Sequence, residues 1–175
     1  MSDTTMDGEA QALGCDQGSR IGVAVRGTHR YAVALRAIGV AECIVEVAGE
    51  LRDQPSQTSL QIDERVHLDV PEHLDPEVVA RRFPWRFLDH SCRPNAAFRG
   101  RRLIALEDIA PGRAVTFHYA TTEYDLAVPF ACECGEEDCL GVIRGYRALS
   151  GPQRERLSGA VLPHVLRCAG REVGS

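Results

Sequence analysis

The chain has 175 residues and no lysine; all 20 of its basic side chains are arginine. The absence removes the chain's own lysines as targets of modification, and its plainest origin is codon bias in a GC-rich genome. Also missing is any apolar run approaching the ~20 residues that a membrane helix needs. Met1 to Ala10 are polar and acidic, where a secretory signal is basic and then apolar, so an intracellular, cytoplasmic location is expected. There is no solenoid repeat, no Gly-rich phosphate loop and no dinucleotide fingerprint. A basic excess is lacking too: the net charge of -5 argues against nucleic acid as the main partner and is compatible with a basic peptide. Seven cysteines is an odd count, and without a secretory signal it argues against a disulfide framework.

What is present suffices for one compact domain, because 44% hydrophobic and 26% charged residues is an ordinary globular balance. Residues 1–20 mix Gly, Asp, Ser, Thr and Gln without apolar periodicity and read as a disordered arm. Alternation at Ile21–Val25 and Ala32–Leu35 predicts two strands about Gly27–Thr28. Strands are also expected at Glu42–Val47, Leu103–Leu106 and Ala114–Tyr119, with a hairpin of Leu60–Ile62 and Val66–Leu68 about Asp63–Glu64. Asp75 as cap and Pro76 in the first turn predict a short helix that Pro84 ends. Ser150–Arg167 has an apolar stripe at helical spacing, and Pro163 is expected to kink or split that helix.

Three motifs carry chemistry. In Cys132-Glu-Cys134-Gly-Glu-Glu-Asp-Cys139, three thiols at C-x-C-x4-C spacing can reach three corners of one tetrahedron, and Gly135 lets the chain fold back around an ion. Soft thiolates suit zinc, and a structural site needs a fourth ligand that this motif does not name. The competing reading is three buried or oxidised thiols. Cys15, Cys43 and Cys168 read as a tail thiol and small buried residues. The second motif, Arg86-Phe87-Leu88-Asp89-His90-Ser91-Cys92-Arg93-Pro94-Asn95, reads alone as a polar turn; a Cys–His catalytic pair has no orienting third group. The third, Gly112-Arg-Ala-Val-Thr-Phe117-His118-Tyr119, reads as a strand with Phe117 and Tyr119 on one face and His118 on the other.

Together, and in this order, the motifs resemble those of the SET family of protein-lysine methyltransferases: R-F-x-N-H-S-C-x-P-N, then G-E-E-L-T-F-D-Y, then a post-SET C-x-C-x4-C. Ala37–Glu50 resembles the family's early strand pair, and the likeness spans roughly Ile21 to Arg147. The resemblance implies a mainly β (α+β) SET-type fold of small curved sheets with a pseudoknot. It divides the chain into an arm (1–20), a SET domain (21–130), a post-SET zinc segment (131–149) and a C-terminal helix and tail (150–175). It implies S-adenosylmethionine as cofactor and a structural zinc held by Cys92, Cys132, Cys134 and Cys139. It places Tyr119 beside the reacting amine and Phe117 where the number of methyl groups is controlled. It assigns cofactor contacts to His29, Arg30, Tyr31, Arg86, Asp89 and His90, and has Tyr146 close the pocket.

The sequence departs from the family where cofactor and chemistry sit, which marks a divergent member of bacterial type. The early G-x-G aligns with His29-Arg30-Tyr31, whose side chains crowd a site built for bare backbone. Asp89 replaces an asparagine, His118 an aspartate, and Ala114 a glutamate that pairs with the motif arginine. The paired changes predict that Asp89 and His118 meet and that the carboxylate raises the imidazole pKa. Methyl transfer to a protein lysine amine is the leading reading. A scaffold redirected to a small molecule of secondary metabolism, or a non-catalytic binding module, are the alternatives. Glu133, Glu136, Glu137 and Asp138 either attract a basic peptide or form a solvated loop.

Overall fold

The first hairpin follows from the alternation that announces it. In the computed structural model, which describes residues 19–173, β1 (Ile21–Arg26) and β2 (His29–Ala34) pair antiparallel from Ile21↔Ala34 to Arg26↔His29. Gly27 turns the chain at φ 61°, a left-handed conformation that glycine adopts without steric cost. Ser19 and Arg20, assigned above to the arm, already belong here: the Ser19 hydroxyl donates to the Ile21 carbonyl (2.7 Å) and the Leu35 N–H to the Arg20 carbonyl (2.9 Å). The rest of the expected arm, with Cys15, lies outside the described residues.

Then follow β3 (Cys43–Glu46), β4 (Glu50–Arg52), β5 (Leu60–Asp63), β6 (Val66–Asp69), α1 (Pro76–Arg82), β7 (Asp89–His90), β8 (Ala96–Arg99), β9 (Arg102–Ala105), β10 (Thr116–Phe117), β11 (Phe130–Ala131), β12 (Val142–Ile143), α2 (Gly151–Leu157) and α3 (Pro163–Val173). Among the described residues the strands form five small sheets, β1-β2, β3-β9-β8, β4-β6-β5, β7-β10 and β11-β12, and of these only β7-β10 is parallel. This is the expected mainly β, α+β arrangement. No sheet is wide enough to bury a core by itself, so the core is assembled between them: Ile21, Leu68, Phe98 and Leu103 from four strands, with Ile109 and Val115 from the connection before β10, are fully enclosed. A second cluster of Ala120, Tyr146, Leu149 and Val165 seats the C-terminal helices. None of the described helices is long and apolar enough to cross a membrane.

Local chemistry sets the helix ends. The Asp75 carboxylate accepts the Glu77 N–H at 2.8 Å, and Pro76 opens α1. The single helix expected over Ser150–Arg167 is two. A proline inside a helix forfeits a hydrogen bond and clashes with the preceding turn, so the chain leaves α2 and restarts with Pro163 as the first residue of α3. The apolar stripe is therefore shared: Leu162 and Val165 are buried around the restart, and Leu157 packs on the second cluster from α2. The strand expected over Ala114–Tyr119 keeps only two residues before a 3-10 turn at Tyr119–Thr121.

Gly49 shows how tightly the sheets meet. A Cβ there would lie 2.2 Å from the Asp69 carbonyl oxygen, which is backbone and cannot swing aside, and 3.5 Å from Trp85 Cζ2. Gly49→Ala is expected to cost about 3 kcal/mol through this overlap. Gly151→Ala, with open space around the new methyl, serves as control. Urea unfolding of both variants checks this: equal midpoints would contradict the close approach.

Candidate active site and cysteine cluster

The site grows from the one parallel pairing, Asp89 against Thr116 and His90 against Phe117. Asn95 extends it. Its side-chain amide donates to the Ala114 carbonyl (2.8 Å) and its carbonyl oxygen accepts the Thr116 N–H (2.9 Å), so one side chain imitates a strand neighbour. Because the strands run the same way, both chains leave the pairing together, one toward Cys92 and the other toward Tyr119. The Tyr119 hydroxyl donates to the Leu88 carbonyl at 2.7 Å, and the Tyr119 N–H donates to His90 Nδ1 at 3.2 Å. A ring nitrogen that accepts carries no proton, so the proton of the neutral ring is on Nε2, which lies 3.4 Å from Cys92 Sγ. Burial, and then the neighbouring His118, push His90 down to about 3, so the ring is neutral near pH 7.

The sulfurs of Cys92, Cys132, Cys134 and Cys139 all lie within 4.8 Å of one another, and Cys92 to Cys132 is 4.0 Å. A tetrahedral zinc with Zn–S bonds of ~2.3 Å places its sulfurs about 3.8 Å apart, so the cluster fits with a small contraction. The Leu140 and Gly141 N–H groups point at Cys92 and Cys139 sulfurs, each at 3.4 Å, as expected around thiolates. Burial first, and then neighbouring thiols, push Cys92 and Cys132 up. Burial opposes but does not overcome the N–H bonds and neighbours that bring Cys134 down to about 7. Four thiols so placed could together hold a metal ion such as zinc. The other described cysteines, Cys43 and Cys168, lie outside it and are unpaired.

Two hollows share Tyr119 and no other residue. The larger, about 560 Å3, is walled by His29, Asp89, His90, Phe130 and Glu133. The narrower, about 60 Å3, is walled by Trp85, Leu88, Phe98, Phe117 and Glu123. Phe117 and Tyr119 lie on one face as the alternation predicted, their rings 4.8 Å apart. Burial, then the charges of Asp89 and Glu123, push the Tyr119 hydroxyl well above its usual range, so it stays protonated and donates.

The expected cofactor residues divide. His29, Asp89 and His90 line the larger hollow together. Tyr31 is buried with its ring parallel to His29 at 5.9 Å and the Arg26 guanidinium over it at 5.3 Å. Arg30, one step along β2, points the opposite way and pairs with Glu77 of α1 at 2.5 Å. Arg86 bonds Thr58 Oγ1 at 2.6 Å and lies 3.7 Å from Asp69, which supplies the carboxylate missing at Ala114. Arg30 and Arg86 line a groove of about 890 Å3 beside α1, which adjoins the narrow hollow at Pro55, Ser56 and Arg86. Tyr146 does not reach the larger hollow: it is buried in the second cluster beneath Arg154 at 5.0 Å.

The expected Asp89–His118 contact is not made. Asp89 instead meets His29 at 2.8 Å. His118 is 3% exposed and edge-on to His90, with ring centres 4.7 Å apart. Burial, then the charge of Arg156, push it down to about 4, the opposite of the expected rise. The register puts Asp89, Thr116 and His118 on one face, but the strand ends at Phe117 and His118 leads into the 3-10 turn, so its ring is buried against His90 while Asp89 lines the hollow with Thr116. In the acidic run, Asp138 pairs with Arg156 and Glu136 lies 4.0 Å from Arg93, so part of that charge is consumed internally.

Phe130 and Glu123 went unmarked in the sequence. Phe130 stands edge-on to His90 (6.0 Å) and Tyr119 (5.8 Å); an aromatic two residues before the cysteine trio was the available signal. Glu123 is 8% exposed, and burial pushes it up to about 7 against the bond it accepts from the Gln61 N–H. Nothing local in Thr-Thr-Glu-Tyr announces that burial.

A family model described as SET domain matches residues 29–120. Methyltransferase flvH of Aspergillus flavus is 36% identical over 83 residues, covering 45% of this chain and 46% of that protein. A histone-lysine N-methyltransferase, H3 lysine-36 specific, of Yarrowia lipolytica is 32% identical over 143 residues, covering 70% of this chain and 18% of that protein. The chain thus spans less than half the length of these relatives. Among solved structures, KRYPTONITE in complex with mCHG DNA and SAH has a TM-score of 0.51 at 19% identity, covering 67% of this chain and 27% of that one. A family match across more than half of the residues, on a fold of the same type and with its motifs brought together around one parallel strand pairing, leads to the conclusion that this chain belongs to the SET domain family.

Proposed function

We propose that the chain is an S-adenosylmethionine-dependent methyltransferase whose acceptor is an amine, a protein lysine first, and that its four-cysteine cluster holds a structural zinc. The observation that carries the reading is Tyr119 standing between two hollows that share nothing else. The larger hollow has a volume suited to a nucleoside-sized ligand. Asp89, His90 and Phe130 offer it hydrogen bonding and an aromatic wall, and the His29–Asp89 pair stands at its edge in place of bare glycine backbone. When bound there, S-adenosylmethionine supplies an electrophilic methyl group. The narrow hollow admits the tip of an unbranched chain, with Phe117 limiting its width. The Tyr119 hydroxyl orients at the junction, and aromatic walls accommodate developing positive charge. That SAH accompanies KRYPTONITE, and that the Yarrowia lipolytica relative is named for H3 lysine 36, supports this reading. A free alkylamine fits the same narrow hollow, and a scaffold redirected to small molecules is the second reading.

Zinc analysis of the purified protein is expected to give one ion per chain, lost on Cys134→Ser together with much of the thermal stability. A folded wild-type protein free of metal would remove the zinc assignment.

Calorimetry is expected to show S-adenosylmethionine binding by the wild type. Incubation with a peptide carrying H3 lysine 36, against butylamine as a small acceptor, then identifies the acceptor class. Because the chain contains no lysine, any methyl-lysine must lie on the peptide. Tyr119→Phe is expected to lower turnover by about 100-fold with cofactor affinity unchanged. A wild type that binds no cofactor contradicts the enzyme reading.

A further inference from the structure

Only two carboxylates are buried among the described residues. Asp69 has a guanidinium beside it, that of Arg86 at 3.7 Å. Glu123 has no cation within ion-pair distance. Its oxygen accepts the Gln61 N–H at 2.7 Å, while the neighbouring Thr122 hydroxyl donates to the Tyr119 carbonyl at 3.2 Å. Its backbone is fixed at both ends: the Glu123 N–H donates to the Tyr119 carbonyl, and the Glu123 carbonyl accepts the Tyr146 N–H. Gln61 reciprocates by accepting the Tyr124 N–H at 3.1 Å. The carboxylate is thus held rigidly in the wall of the narrow hollow, together with Trp85, Phe117 and Tyr119.

A desolvated carboxylate without a counter-charge is costly, and aromatic faces around it repel anions but attract cations. Arg86, which also lines the hollow, is engaged by Thr58 and Asp69. Below about pH 7 a proton neutralises Glu123; above it, the missing positive charge can arrive with a ligand. We propose that Glu123 is the ammonium site of the narrow hollow, holding the protonated acceptor amine against Tyr119 and taking one of its protons. The proposal rests on the acceptor being an amine, as argued above. In the transfer an N–H bond breaks, an O–H bond forms on the carboxylate, and the electron pair stays on nitrogen, which becomes a neutral nucleophile. The proton passes from Glu123 to water once the hollow empties.

Charge state ties this site to pH. Glu123 is raised to about 7, so it is an anion only above that value. The groups packed around it keep their charge in the window from pH 6.5 to 8. Tyr119 is raised and donates to Leu88; His67 on β6 and His164 on α3 are both held below their usual range by burial, with His164 bonded to the Thr122 carbonyl. A primary alkylammonium stays cationic to about pH 10. By the same linkage, a raised carboxylate stabilises the fold below its unfolded pKa and loses that contribution as pH rises through 7.

The test uses n-butylammonium as probe and the fluorescence of Trp85, the single tryptophan of the chain and a wall of the hollow. At pH 8 the wild type is expected to show saturable binding that weakens roughly tenfold or more in Glu123→Gln, which keeps the acceptor for Gln61 but not the charge. 1-Butanol, neutral and of equal length, should bind both proteins alike. Butylammonium binding by the wild type should fall with a midpoint near pH 7, and the variant should show no such midpoint. The thermal midpoint of Glu123→Gln should exceed that of the wild type at pH 8 and not at pH 5. Equal ammonium binding by the two proteins, no saturable signal, or a pH-independent wild type overturns the proposal. Should the variant fail to fold, the wild-type pH titration against 1-butanol decides alone. Calorimetry with S-adenosylmethionine separates the two readings. Cofactor binding without an ammonium site removes this proposal only; an ammonium site without cofactor binding removes the methyl-transfer reading only.

Discussion

Two residues on each of two strands, Asp89–His90 and Thr116–Phe117, form the parallel pairing on which the site depends. Parallel strands need a long connection, and here the chain between them supplies β8 and β9, two strands of the central sheet. The pairing is too short to be stable by strand hydrogen bonds alone. Asn95 lengthens it with two side-chain bonds, and the buried Phe98–Phe117 contact, with ring centres 5.0 Å apart, anchors one strand in the core. From this junction the imidazole of His90 touches both functions. Its Nδ1 accepts from the Tyr119 backbone and its Nε2 faces the Cys92 sulfur, so the cysteine cluster and the tyrosine are fixed by one ring.

The strands and caps that rest on local signals were legible in the sequence. Gly27, the alternation around it and the Asp75–Pro76 cap all behave as short-range chemistry dictates. The cysteine trio was equally plain, because thiols at that spacing have few other uses. The fourth member was not local: Cys92 lies 40 positions before Cys132, and only the family resemblance joined them. The two-residue strands were invisible, since β7, β11 and β12 have no periodicity to detect and exist only through their partners. The error at Asp89 and His118 has a simple cause. The register would carry both side chains on one face of a continued pairing, but β10 stops at Phe117 and the turn that follows takes His118 away. Alternation along β2 turned Arg30 away from the hollow that His29 lines.

The site departs from good core chemistry in a consistent way. His90 and His118 are buried and neutral, His118 Nδ1 has no hydrogen-bond partner, four thiols crowd one point, and Glu123 is enclosed without a cation. Buried polar atoms without a partner occur away from the site as well, at Arg52, His67 and Arg154. At the site the groups short of partners match what ligands are expected to bring: a metal for the sulfurs, an ammonium for the carboxylate. The replacement of G-x-G by His29-Arg30-Tyr31 fits the same logic. The three side chains are accommodated by stacking, by pairing with α1 and by pairing with Asp89, which leaves the larger hollow open behind them.

The central claim is that the two hollows meeting at Tyr119 receive cofactor and acceptor from separate sides. A crystal structure of the protein grown with S-adenosylhomocysteine tests it most directly. The account predicts the ligand in the hollow bounded by Asp89, His90 and Phe130, with its sulfur directed at Tyr119 and the narrow hollow beyond it. Density in the groove beside α1 between Arg30 and Arg86, with the hollow at Phe130 empty, would contradict it.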